Sequence, residues 1–234
     1  KRLITYAASF GNTTLEKLEK YQKADEVGAL LQKFDAVSVR DANSGTIVKQ
    51  LTGKEPVYNL DPVLTYDYMN CCDKIPQLRA NEKYLILYAY AGRISNEEAD
   101  WIAAYAKKKN LKIYAIGGIQ KCADRFVDCS PFEVLAYFRN AEEVITDTFH
   151  GSIFSVITHR PFTTLIRKSV GNSYGNEEKL SDLLERLDLA DRMTAKVEDA
   201  ENINEETIDY AKVDELLKAH REVAKEYLRS NLEG

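Results

Sequence analysis

The succession of apolar runs predicts an α/β protein: a doubly wound parallel sheet in residues 83–206 and a partial second α/β lobe in residues 1–65. Three observations carry this. Five short β-branched or aromatic runs between Tyr84 and Ile166 alternate with amphipathic stretches, and each return to the same sheet through a helix makes neighbouring strands parallel. Helix starts with clear caps fall between those runs. Residues 66–82, with Asp67, Asn70, Asp73, Pro76 and Asn81, lose all periodicity and read as a connector.

Taken in order, Leu3–Ser9 reads as a strand that stops at Gly11, followed by a helical stripe of Leu15, Leu18, Tyr21, Leu30, Leu31 and Phe34, weakened in its middle by Gly28. Residues 35–40 form a second strand ending in Arg40-Asp41. A helix over Ala42–Leu51 and a strand over Pro56–Leu60 follow, closing on the turn Asp61-Pro62. Beyond the connector, strands are expected at Tyr84–Tyr90, Lys112–Ile116, Arg125–Cys129, Glu143–Asp147 and Phe162–Ile166. Ser95 caps a helix with Glu98 three residues on, and Lys107, Lys108 and Lys109 sit at its end, where positive charge is favoured. Ser130-Pro131-Phe132-Glu133 supplies an N-cap, a first-turn proline and a capping-box Glu. Leu180, Leu183, Leu184, Leu187 and Leu189 mark another amphipathic helix. The last segment, 207–234, holds a long helix expected to pack across the lobes, with His220 on its apolar spacing as a packed histidine. His159, just before Arg160-Pro161, reads as a charge at a helix end.

The candidate site is the junction Val144-Ile145-Thr146-Asp147-Thr148-Phe149-His150-Gly151-Ser152, where a buried strand runs into a helix. Asp147 or Thr148 is the natural N-cap. His150 and Gly151 then fall in the first turn, whose N–H groups and dipole favour an anion. Gly151 permits close approach, Ser152 adds a hydroxyl, and His150 adds a proton carrier. The bland reading, a capped helix with a surface histidine, has even standing on spacing alone. Open α/β sheets bind at the carboxyl ends of their strands. That edge collects Arg40 and Asp41, Asp61, Gly92 and Arg93, Gly117 and Gly118, Ser130, the Asp147–Ser152 turn, and Arg167 with Lys168. A cleft between lobes would set the Arg40 guanidinium opposite the His150 turn. For Asp41 and Asp61, a cap or turn is the commoner role of an Asp after a strand. Gly117-Gly118 is too short for a dinucleotide fingerprint.

A net charge of -5 argues against nucleic acid, and no apolar run is long enough to span a bilayer. Cys71, Cys72, Cys122 and Cys129 lack zinc spacing and fit a reducing compartment. The start Lys1-Arg2-Leu3-Ile4-Thr5-Tyr6 has neither Met nor a signal peptide and reads as a cut from something longer. The long last helix offers a surface for homo-oligomer formation.

The succession Tyr6-Ala7-Ala8-Ser9-Phe10-Gly11, Val37-Ser38-Val39-Arg40-Asp41, Asp61-Pro62-Val63-Leu64, then Ile145-Thr146-Asp147-Thr148-Phe149-His150-Gly151-Ser152-Ile153-Phe154 resembles the polysaccharide pyruvyl transferase family. Asn176 and the stretch from Lys179 to Arg192 are similar to that family's end. Family members begin with a further α/β half bearing an Asn/Gly-rich motif, so this chain is similar to the later portion. The resemblance implies a GT-B-like, Rossmann-like fold and transfer of a pyruvyl group from phosphoenolpyruvate to sugar hydroxyls as a ketal. The acceptor is then a cell-surface saccharide or a lipid-linked precursor, the compartment cytoplasmic, and no cofactor or metal is formally required. His150, Arg40 and Asp147 take the catalytic roles, with Asp41, Thr148, Gly151, Ser152, Arg167 and Lys168 in substrate binding. A glycosyltransferase or nucleotide-sugar enzyme holding a diphosphate at the same helix start is the first alternative; a non-enzymatic interaction module is the second.

Overall fold

A computed structural model describes residues 2–78, 82–168 and 176–232 of the chain. The chain divides into two units: Lys1–Tyr66 with Glu185–Leu187 and Ala211–Gly234, and Asp67–Leu184 with Asp188–Tyr210.

In the first unit, α1 (Leu15–Lys20) starts on Thr14, whose hydroxyl accepts from the Lys17 N–H, and α2 (Ala24–Leu31) follows after a short break. The sequence places the weak point of this stripe at Gly28. The break falls instead at Gln22, whose φ of 55° is left-handed and ends α1. Gly28 sits inside α2, where a Cβ would lie 3.1 Å from the Leu51 carbonyl oxygen, so the glycine permits a close approach between helices. β1 (Ser38–Val39), α3 (Ala42–Thr52), β2 (Val57–Tyr58) and α4 (Pro62–Thr65) complete this part. β1 and β2 pair in parallel. The strand expected at Leu3–Ser9 is reduced to two bridges, Ile4 to Ala36 and Ala8 to Val39, because Ala7 adopts a φ of 47° and interrupts the extended backbone.

The second unit contains α5 (Tyr68–Cys71), β3 (Tyr84–Tyr88), α6 (Asn96–Lys108), β4 (Lys112–Ile116), β5 (Arg125–Phe126), α7 (Pro131–Asn140), β6 (Glu143–Thr146), α8 (Phe149–Ile157), β7 (Phe162–Leu165), α9 (Glu177–Arg186), β8 (Met193–Thr194) and α10 (Ala200–Glu205). The strand expected to Cys129 stops at Phe126, and β8 has no counterpart in the sequence reading, since two half-buried residues carry no period. Helix α11 (Tyr210–Leu232) buries Val213, Leu217, Ala224 and Tyr227, and the Tyr227 hydroxyl donates to the Thr5 carbonyl at 2.7 Å.

The six strands of the second unit are all parallel and lie in the order β5-β4-β3-β6-β7-β8. This is a doubly wound arrangement: the chain moves outward from β3 to one edge, returns to β6, and moves outward to the other. The direction of winding reverses between β3 and β6, the place where such sheets open a ligand crevice at their carboxyl ends. Tyr84–Leu87 and Glu143–Thr146 are buried on both faces, which explains their continuous apolar character. Leu85, Leu87, Ile102, Ile113, Ile145 and Leu165 form the core beneath that edge.

Candidate active site

At the end of β6 the chain turns on three hydroxyl-bearing bonds. The Thr146 hydroxyl donates to the Tyr88 carbonyl at 2.7 Å, the Thr148 N–H donates to the Thr146 oxygen at 3.0 Å, and the Thr148 hydroxyl accepts the Gly151 N–H at 2.9 Å. Of the two cap candidates, Thr148 is the N-cap of α8. Gly151 is required by this turn: a Cβ there would stand 2.1 Å from the Thr146 Oγ1 and 2.8 Å from the Thr148 Oγ1. Its N–H is taken by the cap, and the preceding amide, that of His150, has no partner among the described residues. Ser152 is fully buried and shares a hydrogen bond of 2.8 Å with Thr164, so its hydroxyl ties α8 to β7. The His150 ring is half-buried, edge-on to Phe149 at 5.7 Å and tilted against Phe154 at 6.0 Å.

Asp147 is the unusual group. It is fully buried, and among the described residues neither carboxylate oxygen accepts a hydrogen bond from another residue. Native proteins rarely leave such a group unsatisfied. Its nearest charge is Arg93, with Nη1 3.7 Å from Oδ2. Burial pushes the Asp147 carboxyl above the usual carboxylate range, opposed by the positive charges of Arg93 and Arg167 and reinforced by Glu98. Arg93 follows β3 and Asp147 follows β6, so this pair spans the reversal point of the sheet.

Arg167, after β7, is held by Glu98 of α6 through bonds of 2.6 and 3.2 Å. Asn176 binds the two strand ends together, accepting from the Arg167 N–H at 2.6 Å and donating to the Asp147 carbonyl at 2.6 Å. Lys168 is exposed beside it. The structure thus gathers Asp147, Thr148, His150, Arg167 and Lys168 at the carboxyl edge of one sheet. Sequence reasoning gives Glu98 only a capping role, which it also performs on Ser95. A pair 69 positions apart has no periodic signal. Arg93 belongs to the strand-end inventory, but nothing in its neighbourhood of sequence singles it out.

Arg40 and Asp41 belong to the other unit and end β1. Arg40 pairs with Asp61, which also caps α4 by accepting the Val63 N–H at 3.0 Å. Asp41 caps α3, accepting from the Ser44 N–H at 2.8 Å. In both, the cap role that is common for such aspartates is what the structure shows. A groove of about 910 Å³ in this unit, lined in part by Val37, Val57, Val223 and Tyr227, contains none of the candidate residues. His220 is held below its usual range by burial and by Arg186, and His159, at a left-handed φ of 54°, stacks on Tyr210 at 4.4 Å. Among the described residues, no group of His, Cys, Asp and Glu could hold a metal ion, and no helix is long and apolar enough to cross a membrane.

The parallel sheet with its interleaved helices is an α/β fold of the GT-B kind. The crystal structure of the glycotransferase of kitacinnamycin superposes with a TM-score of 0.51 at 10% identity, over 92% of this chain and 64% of that one. A putative UDP-N-acetylglucosamine 2-epimerase from Listeria monocytogenes gives 0.46 at 12% identity over 99% of this chain and 68% of its own. The wall teichoic acid polymerase TagF gives 0.44 at 14% over 97% and 60%. This chain therefore spans 64% of the length of the first of these. A search of curated protein sequences finds no match. Residues 1–169 match the model of the polysaccharide pyruvyl transferase family, and the chain belongs to that family of polysaccharide-modifying transferases.

Proposed function

We propose that this chain handles phosphoenolpyruvate in a pyruvyl transfer, forming a ketal on two hydroxyls of a cell-surface polysaccharide or its lipid-linked precursor. The observation that carries the reading is the His150 turn: an imidazole in the first turn of α8, directly after the buried Asp147 that faces Arg93 at 3.7 Å, at the reversal point of a parallel sheet. Phosphoenolpyruvate carries a phosphate and a carboxylate on three carbons, and such a ligand calls for a helix end and guanidinium groups close together.

The chemistry is then balanced as follows. The methylene carbon gains a proton, the central carbon becomes oxocarbenium-like, and two sugar oxygens bond to it. The bond from that carbon to the phosphate oxygen breaks, and the two hydroxyl protons end on the new methyl group and the departing phosphate. His150 delivers the proton or assists the leaving phosphate, and Arg40 neutralises donor charge, roles each worth roughly 2 to 4 powers of ten. For Arg40 this means exchanging the Asp61 carboxylate for one of the donor's anions. Asp147 orients these groups or receives a sugar proton. Arg167 and Lys168 add positive charge for binding. Thr148, Gly151 and Ser152 maintain the turn, and Asp41 maintains the end of β1. The donor is a cytoplasmic metabolite, which assigns the reaction to that compartment.

A thermal-shift series with phosphoenolpyruvate and with uridine diphosphate tests the reading. Ligand at 100 times its Kd should stabilise by about 2.7 kcal/mol. Stabilisation by phosphoenolpyruvate and none by the nucleotide is expected; the reverse result would transfer the site to a nucleotide-sugar enzyme.

A further inference from the structure

At the carboxyl edge of the second unit, two exposed side chains stand on adjoining loops that the fold holds in place. Tyr90, in the loop after β3, is 46% exposed, and Ile119, in the loop after β4, is 72% exposed. Exposed hydrophobics scattered singly need no explanation, but these two are joined through their backbones. Gln120, itself buried, donates from Nε2 to the carbonyls of Ala89 at 2.9 Å and Tyr90 at 3.3 Å. On the other side of Ile119, a Cβ on Gly118 would stand 2.3 Å from the Ala91 nitrogen and 2.8 Å from the Tyr90 carbonyl carbon. The second loop therefore closes against the first only as glycine. Ile119 is held between two residues that both lie against the backbone of the Tyr90 loop.

The Tyr90 ring is packed on one side. The Arg93 guanidinium lies over it with Cζ 4.8 Å from the centroid, and the same guanidinium places Nη1 3.7 Å from Oδ2 of Asp147. Tyr90 thus stands one guanidinium away from the buried acid, at the reversal point of the sheet. A rigid aromatic ring beside an aliphatic side chain offers a large contact area to a ring-shaped ligand, at little cost in side-chain entropy. A pyranose has a matching surface: axial C–H groups make its faces apolar, and its hydroxyls point outward around the rim. The family to which the chain belongs acts on polysaccharides, so a sugar ring is part of its substrate. We propose that Tyr90 and Ile119 form an acceptor subsite, in which a pyranose ring of the saccharide lies on the open side of Tyr90 with its edge against Ile119. Its hydroxyls then face the β6–α8 junction. The inference rests on the reading of that junction as the reacting end. Arg93 serves here by packing against the ring, and its own bonds stay as they are.

Saturation-transfer nuclear magnetic resonance on the purified chain reads this contact, with the methyl glycosides of glucose, galactose, mannose and N-acetylglucosamine as probes. The ring C–H signals of at least one glycoside should receive saturation. Its affinity should fall about three- to tenfold in Tyr90→Ala, the range of a lost aromatic contact, and persist in Tyr90→Phe and Tyr90→Trp. Ile119→Ser should weaken binding by a smaller factor. Tyr21→Ala, which removes a ring that is 67% exposed in the first unit, should change nothing. Saturation of none of the glycosides overturns the inference, as does a Tyr90→Ala variant that is folded by circular dichroism and binds as well as the parent. Transfer to uridine with none to the glycosides also overturns it, since the ring would then carry a nucleobase. The donor is scored separately: glycoside binding that depends on Tyr90, with no stabilisation by phosphoenolpyruvate, would retire the donor reading and leave the acceptor subsite standing. Stabilisation by phosphoenolpyruvate without glycoside binding would do the reverse.

Discussion

The two units end their strands in similar residues and use them in opposite ways. In the first, the acids after β1 and β2 are consumed locally: Asp41 caps α3, and Asp61 caps α4 while pairing with Arg40. In the second, the acid after β6 caps nothing. The cap is handed to Thr148, and Asp147 stays buried, with neither oxygen bonded to another residue among those described and a guanidinium 3.7 Å away. Each of the first unit's acids has an oxygen engaged by a cap, although Asp41 leaves its buried Oδ2 without a partner among the described residues. An unsatisfied one beside an open helix start, at the reversal point of a sheet, is where a ligand reading gains its physical ground.

The sharpest way to break this contrast is with the first-turn glycines. Gly151→Ala forces a Cβ against the buried Thr146 and Thr148 hydroxyls and should cost about 2 to 4 kcal/mol in denaturant unfolding. Gly45→Ala in α3 meets the hydroxyl, Cζ and Cε1 of the exposed Tyr58 ring, the far end of a side chain that can swing away, and should change stability by less than about 1 kcal/mol. Equal losses would mean that the two helix starts are under the same constraint. A smaller effect separates the acids. Asp61→Asn loses a charged partner for Arg40 and should destabilise by about 1 to 2 kcal/mol, whereas Asp147→Asn should stabilise at neutral pH. The sign for Asp147 follows from its raised range. Below its unfolded value, about 4, the carboxyl is neutral in both states and the two proteins should match. As pH rises from there the unfolded chain ionises first, the parent loses stability through the window up to the folded value, and the gap then stays constant. Unfolding midpoints at pH 4 and pH 7 check this, and a gap that shrinks with rising pH would contradict it.

Much of this was readable from spacing. The second-unit strands follow from continuous apolar runs such as Tyr84–Tyr88, and the caps at Ser95 and Ser130 follow from Glu three residues on. The β6–α8 junction was legible for the same local reason. Where the reading erred, tertiary geometry overrode the local signal: Gly28 suits a close helix approach and so does not break its helix, and Ala7 interrupts a strand that β-propensity favours. The functions of Gly151 and Ser152 were visible only in three dimensions, because the hydroxyls they meet come from Thr146 and Thr164. Glu98 with Arg167, and Arg93 with Asp147, are pairs set by sheet order, and sheet order has no local trace in the chain.

The central claim, that the β6–α8 junction transfers a proton to a bound donor, is tested most directly by steady-state release of phosphate from phosphoenolpyruvate in the presence of a saccharide acceptor. Parent and His150→Gln are compared, with kcat and KM resolved separately. The account predicts a kcat lower by roughly 2 to 4 powers of ten and a KM within a few-fold, because the ring is lost while the helix start and the arginines remain. A His150→Gln enzyme with the parent's kcat would contradict it.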